Sequence, residues 1–171
     1  MAYLAKPSIK YKRSYLEGLK EFQDEGREAE YNYKEVKSDF ENFVLKLNNQ
    51  TKGIGLPEGW VPATHFWLID KDEYIGNISI RHKLNDNLIR VGGHIGYSIR
   101  PSKRNMGYGI TILKLSLPEV KKLGIDKALV TCDETNIGSK KIIEANGGIL
   151  ENIKEQGEGK PRKLRYWIKI S

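Results

Sequence analysis

The sequence holds one cysteine, Cys132, among 171 residues. A single thiol excludes an intramolecular disulfide framework and any cysteine-cluster metal site, and a reducing cytoplasm is the simplest compartment for it. No apolar run approaches the roughly 18–20 residues that a membrane span needs, so neither a transmembrane protein nor a membrane partner is expected. The opening Met1-Ala-Tyr-Leu-Ala-Lys-Pro has no apolar stretch long enough for a secretory signal. Internal repeats and low-complexity tracts are lacking. The histidines His65, His82 and His94 do not have metal-site spacing, so no metal is expected. No Gly-x-x-x-x-Gly-Lys-Ser/Thr string is present, which removes a P-loop. Apolar matter is not scarce: residues are 39% hydrophobic and 9% aromatic, too much for a disordered chain. The length suits a single domain, residues 1–171, with a real core.

The formal charge is +7, from 29 Lys and Arg against 22 Asp and Glu. Its distribution says more than its sum. Arg81, Lys83, Arg90, Arg100, Lys103 and Arg104 face one anion, Asp86, and residues 151–171 carry six cations against three anions. The surplus therefore sits in mid-chain and at the C-terminal end, and it favours an anionic partner without naming one. Runs of basic residues interleaved with aromatics are absent, so nucleic acid is not the expected partner.

Ile9, Tyr11, Tyr15, Leu16, Leu19 and Phe22 recur at three- and four-residue steps, which predicts a helix over 9–25 stopped by Gly26. Val36, Phe40, Phe43, Val44 and Leu47 predict a second over 36–48. A long loop from Gln50 to Ala63 follows, of the kind that more often carries function than spaces elements. Residues 65–70 and 74–82 read as a hairpin, and Leu88 to Ile99 as a third strand. Gly92, Gly93 and Gly96 inside that strand suggest a bulge or close approach by a ligand. The period changes after Pro101. A helix is predicted from Gly109 to Leu123, kinked at Pro118, then a buried strand over 127–132 and a short helix over 136–145 with Asn136 as N-cap. Two closing strands, 148–153 and 164–170, complete a mixed α/β (α+β) order.

The stretch richest in chemistry joins the third strand to the helix after it: Arg100-Pro-Ser-Lys-Arg104-Asn105-Met106-Gly107-Tyr108-Gly109. Glycines let the backbone come close to a phosphate, and the amides at the start of a helix point free N–H groups at it. A dinucleotide fingerprint would need a third glycine at position 112, which is Ile. What remains is an Arg-x-x-Gly-x-Gly loop. Its context is a strand ending Arg100-Pro101, a helix ending Leu123-Gly124, the strand Leu129-Val-Thr-Cys132, and Asn136-Ile-Gly-Ser139 opening a helix that ends Glu144-Ala-Asn-Gly-Gly148.

In this context the sequence resembles the GNAT superfamily of acyl-CoA-dependent N-acetyltransferases, over roughly residues 60–150 and more loosely in the helical N-terminus. The string Gly93-His-Ile-Gly-Tyr-Ser-Ile-Arg-Pro101 looks like an uncharacterised bacterial branch of it. The resemblance implies a mostly antiparallel sheet with splayed central strands, flanked by helices, in a single acetyltransferase domain. It implies acetyl-CoA as co-substrate and an amine acceptor, with the protein a monomer or homodimer. Arg104 and the amides of Asn105, Met106, Gly107, Tyr108 and Gly109 would hold the pyrophosphate of CoA. The main chain around Ile99, with Asn136 and Ser139, would meet the pantetheine arm.

Direct transfer then asks for a base to take the proton of the amine, a donor to the tetrahedral oxyanion, and a proton for the leaving thiolate. For the base, His94 lies on the strand that runs towards the slot, and His82 ends the strand before it; imidazoles titrate near neutral pH. Glu28 and Glu30, after the first helix, are read not as bases but as candidates for lining the acceptor pocket. Many family members supply the acid from a tyrosine on the last short helix; here that position is Ile143, and Tyr97, Tyr108 or a water would have to substitute. The missing tyrosine keeps a second reading open, a module of the same fold that binds CoA without catalysis. The acceptor amine is not specified, although the basic C-terminal strands would suit an acidic one. His65 and Cys132 read as core residues.

Overall fold

The apolar stripe of the first helix is buried from Tyr11 through Leu19 to Phe22, while Ile9 at its start is exposed. In the computed structural model, which describes residues 1–171, a 3-10 turn at Ile9–Tyr11 runs into α1 (Lys12–Asp24). The single helix expected over 36–48 is two, α2 (Tyr33–Ser38) and α3 (Phe40–Asn49). Asn32 caps the first through the N–H groups of Lys34 and Glu35. Asp39 leaves the helical path (φ −133°, ψ 62°) and caps the second through the N–H of Asn42. The apolar periodicity runs across the break because Val36, Phe40, Val44 and Leu47 all remain buried.

The hairpin is β2 (Ala63–Asp70) and β3 (Glu73–Arg81). Its turn residues, Lys71 and Asp72, both take positive φ (49° and 60°), the twist-matched form of a two-residue turn. A short strand not expected from the sequence, β1 (Tyr3–Ala5), pairs with β2 from Tyr3–Ile69 to Ala5–Trp67. Three residues are too few to show a period.

The third strand is shorter than expected. Leu88–Gly92 coil into one π-helical turn, and β4 is only Ile95–Ile99. Asn85 starts the turn by accepting from the N–H of Leu88 (2.9 Å). Gly93 ends it at φ 68°, and a Cβ there would lie 2.6 Å from the carbonyl oxygen of Leu129. The glycines thus mark a turn packed against the next strand.

Then come α4 (Tyr108–Lys122), β5 (Lys127–Asp133), α5 (Ile137–Ala145), β6 (Ile149–Lys154) and β7 (Lys163–Lys169). Helix α4 continues through Pro118, whose ring lies on the exposed side with Lys114, the residue whose carbonyl loses its partner.

The strands form one sheet in the order β1-β2-β3-β4-β5-β7-β6. Every neighbouring pair is antiparallel except β4 and β5, which touch in parallel at Ile95–Val130 alone. Helices α1 to α3 cover one face over Trp67, Ile69 and Tyr74, and α4 and α5 cover the other over Ile78, Ile80, Ile95 and Val130. No helix is long and apolar enough to cross a membrane.

Half of the mid-chain and C-terminal cations are paired within the fold. Buried Arg100 meets Glu21 (2.7 Å) and Glu73, Lys103 meets Glu73 (2.8 Å), and Arg104 meets Glu25. Near the C-terminal end, Arg162 pairs with Glu134, Lys163 with Asp133, and Arg165 with Glu151.

Candidate active site

Two strands that share a single pairing and then separate leave main-chain groups facing a gap. The N–H of Arg81 reaches the carbonyl of His94 (2.7 Å) and the N–H of Arg100 reaches that of Ile75 (2.9 Å). By the alternation of an antiparallel ladder, Tyr97 and Ile99 then turn their N–H and C=O groups away from β3 and towards β5. Beyond Ile95–Val130 no β5 partner meets them, although the carbonyl of Ile99 accepts from the Arg104 side chain. The splay expected between these strands is present, and a cleft of about 330 Å³ opens beside it.

At the mouth of this cleft lies the glycine-bearing loop. None of the main-chain N–H groups from Asn105 to Ile110 has an acceptor in the protein. Asn105 (φ 60°) and Gly107 (φ 83°) take left-handed conformations, which turn successive amides to one side. Gly107, the N-cap of α4, offers no side chain to satisfy them. A row of unpartnered amides at the start of a fifteen-residue helix fits a diphosphate. Gly109 permits the close approach of the two helices here, since a Cβ would lie 2.3 Å from Cδ1 of Ile142 on α5.

Of the residues expected to hold the cofactor, Ile99, Arg104, Asn105, Gly109, Asn136 and Ser139 line this cleft. The Asn136 side chain caps α5 by accepting from the N–H of Ser139 (3.0 Å). Met106 and Gly107 are exposed and do not line the cleft, and each leaves its main-chain N–H without an acceptor. Tyr108 contributes only its backbone, because its hydroxyl donates to Asp70 Oδ2 (2.8 Å) outside the cleft. Arg104 is not a free cation. Its Nε donates to the carbonyl of Ile99 (3.1 Å) and its other nitrogens to Glu25. The guanidinium therefore pins the loop to α1 and β4. A second cation at the cleft, which the sequence did not single out, is Arg27, whose Nη2 donates to Ser98 Oγ (3.1 Å) and whose Nη1 lies 3.9 Å from Glu25 Oε1.

Neither histidine expected as the base borders the cleft. His94 is buried and stitches β4 to β5: its N–H donates to the carbonyl of Leu129 (2.7 Å) and its Nδ1 accepts from the N–H of Leu129 (2.9 Å). A neutral imidazole accepting at Nδ1 carries its proton on Nε2, so no lone pair is left for an amine proton. Burial, with the charge of Arg81, pushes its pKa down. His82 holds Thr64 Oγ1 at 2.7 Å on the far side of the hairpin, and burial lowers its pKa too. In both cases a tertiary hydrogen bond occupies a nitrogen that the sequence showed as free.

Glu28 does not border the cleft either, but it follows Arg27, which does. It sits just past α1 at φ 52°, a strained conformation for a side-chain-bearing residue. Its Oε1 accepts from Asn77 Nδ2 (3.1 Å), while Oε2 is buried without a partner. Asn77 is directly opposite Ser98 in the β3–β4 ladder. Desolvation is the main cause that pushes the Glu28 carboxyl above the usual carboxylate range, and Glu30 adds to it against the opposing effects of Asn77 and Arg27.

Tyr97 crosses the cleft from β4 to α5, its hydroxyl 2.7 Å from Ser139 Oγ. Burial pushes this phenol up to about 12, so it holds its proton at neutral pH. Ile143 is fully buried in the core, while Cys132 is buried with its thiol pushed up by desolvation.

A family model described as an acetyltransferase (GNAT) domain matches residues 15–149. Similar folds include the microcin C7 self-immunity acetyltransferase MccE in complex with acetyl-CoA and AMP, 16% identical, with a TM-score of 0.70 over 99% of this chain and 92% of that one. An acetyltransferase from Salmonella typhimurium that modifies the N-terminal serine of 50S ribosomal subunit protein L7/L12 is 15% identical, with a TM-score of 0.68 over 99% and 95%. A spermidine N-acetyltransferase chimera from Vibrio cholerae and hSSAT is 15% identical, with a TM-score of 0.65 over 98% and 95%. Likeness at these identities is a likeness of fold. No curated protein sequence matches this chain.

Proposed function

Because the chain belongs to the GNAT acetyltransferase family, we propose that it moves the acetyl group of acetyl-CoA directly to the primary amine of a small molecule or peptide. The observation that carries this reading is the run of unpartnered amides from Asn105 to Ile110, set beside strands that part after one pairing. Amines are also the acceptors named for two of the similar folds, a ribosomal protein's N-terminal serine and spermidine. A lone buried thiol suits the cytoplasm as its compartment.

Acetyl-CoA, when bound, supplies an activated thioester. The amides of the loop hold its diphosphate, and the edge of β4 at Tyr97 and Ile99 together with Asn136 flanks its arm. Glu28 takes the proton of the incoming ammonium or amine, its pKa drawn towards neutral by burial. The N–H of Tyr97, facing the gap, is placed to donate to a developing oxyanion. The hydroxyl of Tyr97 replaces the absent acid at position 143. A phenol near 12 is a weaker acid than a thiol, so it stabilises a departing thiolate by hydrogen bonding and keeps its proton.

Thermal unfolding with acetyl-CoA is the first test. A specific ligand at a hundred times its dissociation constant adds about 2.7 kcal/mol. An unchanged melting temperature at millimolar acetyl-CoA refutes the reading. Ile143 favours one rival, a non-catalytic CoA-binding module, which predicts the thermal shift without thiol release from any amine.

A further inference from the structure

When the ion pairs are drawn, one of the arginines that are not exposed stands apart. Arg81, at the end of β3, has no carboxylate within pairing distance, although Arg100, Lys103, Arg104, Arg162 and Arg165 each have one. Its Nη1 donates to the carbonyls of Gly92 and Gly93 (3.1 Å each), and its Nε and Nη2 have no acceptor in the protein. The side chain lines a second cleft, of about 420 Å³, on the face covered by α1 to α3, together with Trp60, His65 and Ser79. Glu58, the one carboxylate at this cleft, sits on its exposed loop and forms no ion pair. His65 donates from Nε2 to Gln50 Oε1 (2.8 Å) and is held neutral, its pKa pushed down to about 4 by burial and then by Arg81. Arg81 is therefore the fixed positive charge of the cleft.

This second cleft adjoins the first. Gly96 and Ser98 point to the same face of β4, two residues or roughly 7 Å apart. Ser98 lines the cofactor cleft, and a Cβ on Gly96 would lie 3.5 Å from Arg81 Nη2 and 3.7 Å from Ser79 Oγ. An anion held on Arg81 would place an amine a few bonds away beside Ser98, below Asn77 and Glu28.

We propose that this cleft is the acceptor site, and that Arg81 selects small amines that carry a carboxylate or phosphate group. The proposal rests on the acetyl-transfer reading for its amine, but the anion site stands on Arg81 alone. A polyamine would bring a like charge against an unpaired, half-buried guanidinium and is disfavoured.

Two experiments on the full chain separate the claims. In the first, Trp60 fluorescence follows titration with inorganic phosphate or acetate in saturating CoA, which fills the amide loop. A saturable change is expected, lost in Trp60→Phe, at least tenfold weaker in Arg81→Gln, and largely restored in Arg81→Lys. No change with either anion, or binding that survives Arg81→Gln, overturns the proposal. In the second, thiol release compares glycylglycine with its amide, phosphoethanolamine with ethanolamine, and both pairs with spermidine. One anionic member should exceed its neutral partner at least tenfold in kcat/KM, and which pair shows the gap tells carboxylate from phosphate. The gap should close in Arg81→Gln through KM. Equal rates within both pairs, or a preference for spermidine, overturn the proposal without needing any variant to fold. Arg81-dependent phosphate binding with no thiol release from any amine upholds the anion site and refutes acetyl transfer.

Discussion

Replacing Glu28 by Gln removes a charge and little else. The amide oxygen can still accept from Asn77 Nδ2, now 3.1 Å from Oε1, and the NH2 takes the place of Oε2, which already lacks a partner. One buried unsatisfied atom replaces another, so stability should change by less than about 1 kcal/mol. The pH dependence tells more. The folded carboxyl has a raised pKa, so between the unfolded and folded values the native state binds more protons, and stability falls as pH rises through that window. Glu28→Gln deletes this decline and should be at least as stable as the wild type at pH 7. Catalysis should move the other way. A positioned general base is worth about 10²–10⁴-fold, or roughly 3–5 kcal/mol of barrier. Wild-type kcat/KM should rise with pH through the Glu28 pKa, and the variant should lose that limb. Thiol release from pH 5 to 9, with melting curves in acetyl-CoA, measures both sides. A variant within threefold of wild-type kcat/KM, or one that loses its acetyl-CoA shift along with its activity, would refute Glu28 as the base.

Three further outcomes are expected. Gly107→Glu forces a side chain into φ 83° and sets a carboxylate beside the unpartnered amides, so the acetyl-CoA thermal shift should vanish; a retained shift moves the diphosphate elsewhere. Tyr97→Phe removes the hydroxyl held 2.7 Å from Ser139 Oγ, and kcat should fall by a factor of about ten to a hundred, one hydrogen bond to a charged group. An unchanged kcat would return that role to water. His65 stays neutral in the fold, whereas the unfolded chain protonates it below its ordinary 6.5. Stability should therefore be lost as pH falls from 6.5 to about 4, by at most about 3 kcal/mol at 1.36 kcal/mol per pH unit. Urea midpoints against pH should be flatter in His65→Gln, and equal slopes would contradict this.

Local rules carried much of the reading. Glycine and asparagine at left-handed positions and a following helix all belong to one short segment, so the turn at Asn105–Gly109, with its unpartnered amides, was legible. The Asn136 cap and the Gly107 start were equally local. Errors came where a distant partner intervened. Leu88 to Ile99 read as one strand, but Gly93 packs against Leu129 and the chain turns before His94 instead. Arg104 looked like a phosphate ligand until Glu25, 79 residues earlier, occupied it. Arg27 offered no signal, since its place at the cleft depends on Ser98, 71 residues on.

Periodicity and turn chemistry are short-range, and they sufficed for most of the element types, the mixed α/β class and the glycine-bearing loop at the start of α4. Which histidine keeps a free nitrogen, which carboxylate is stripped of water, and which arginine lacks a counter-charge are facts about neighbours. Burial and hydrogen bonding from far along the chain decide those, and so only the folded molecule showed His94 held at Nδ1, the Glu28 carboxyl buried and Arg81 without a counter-charge.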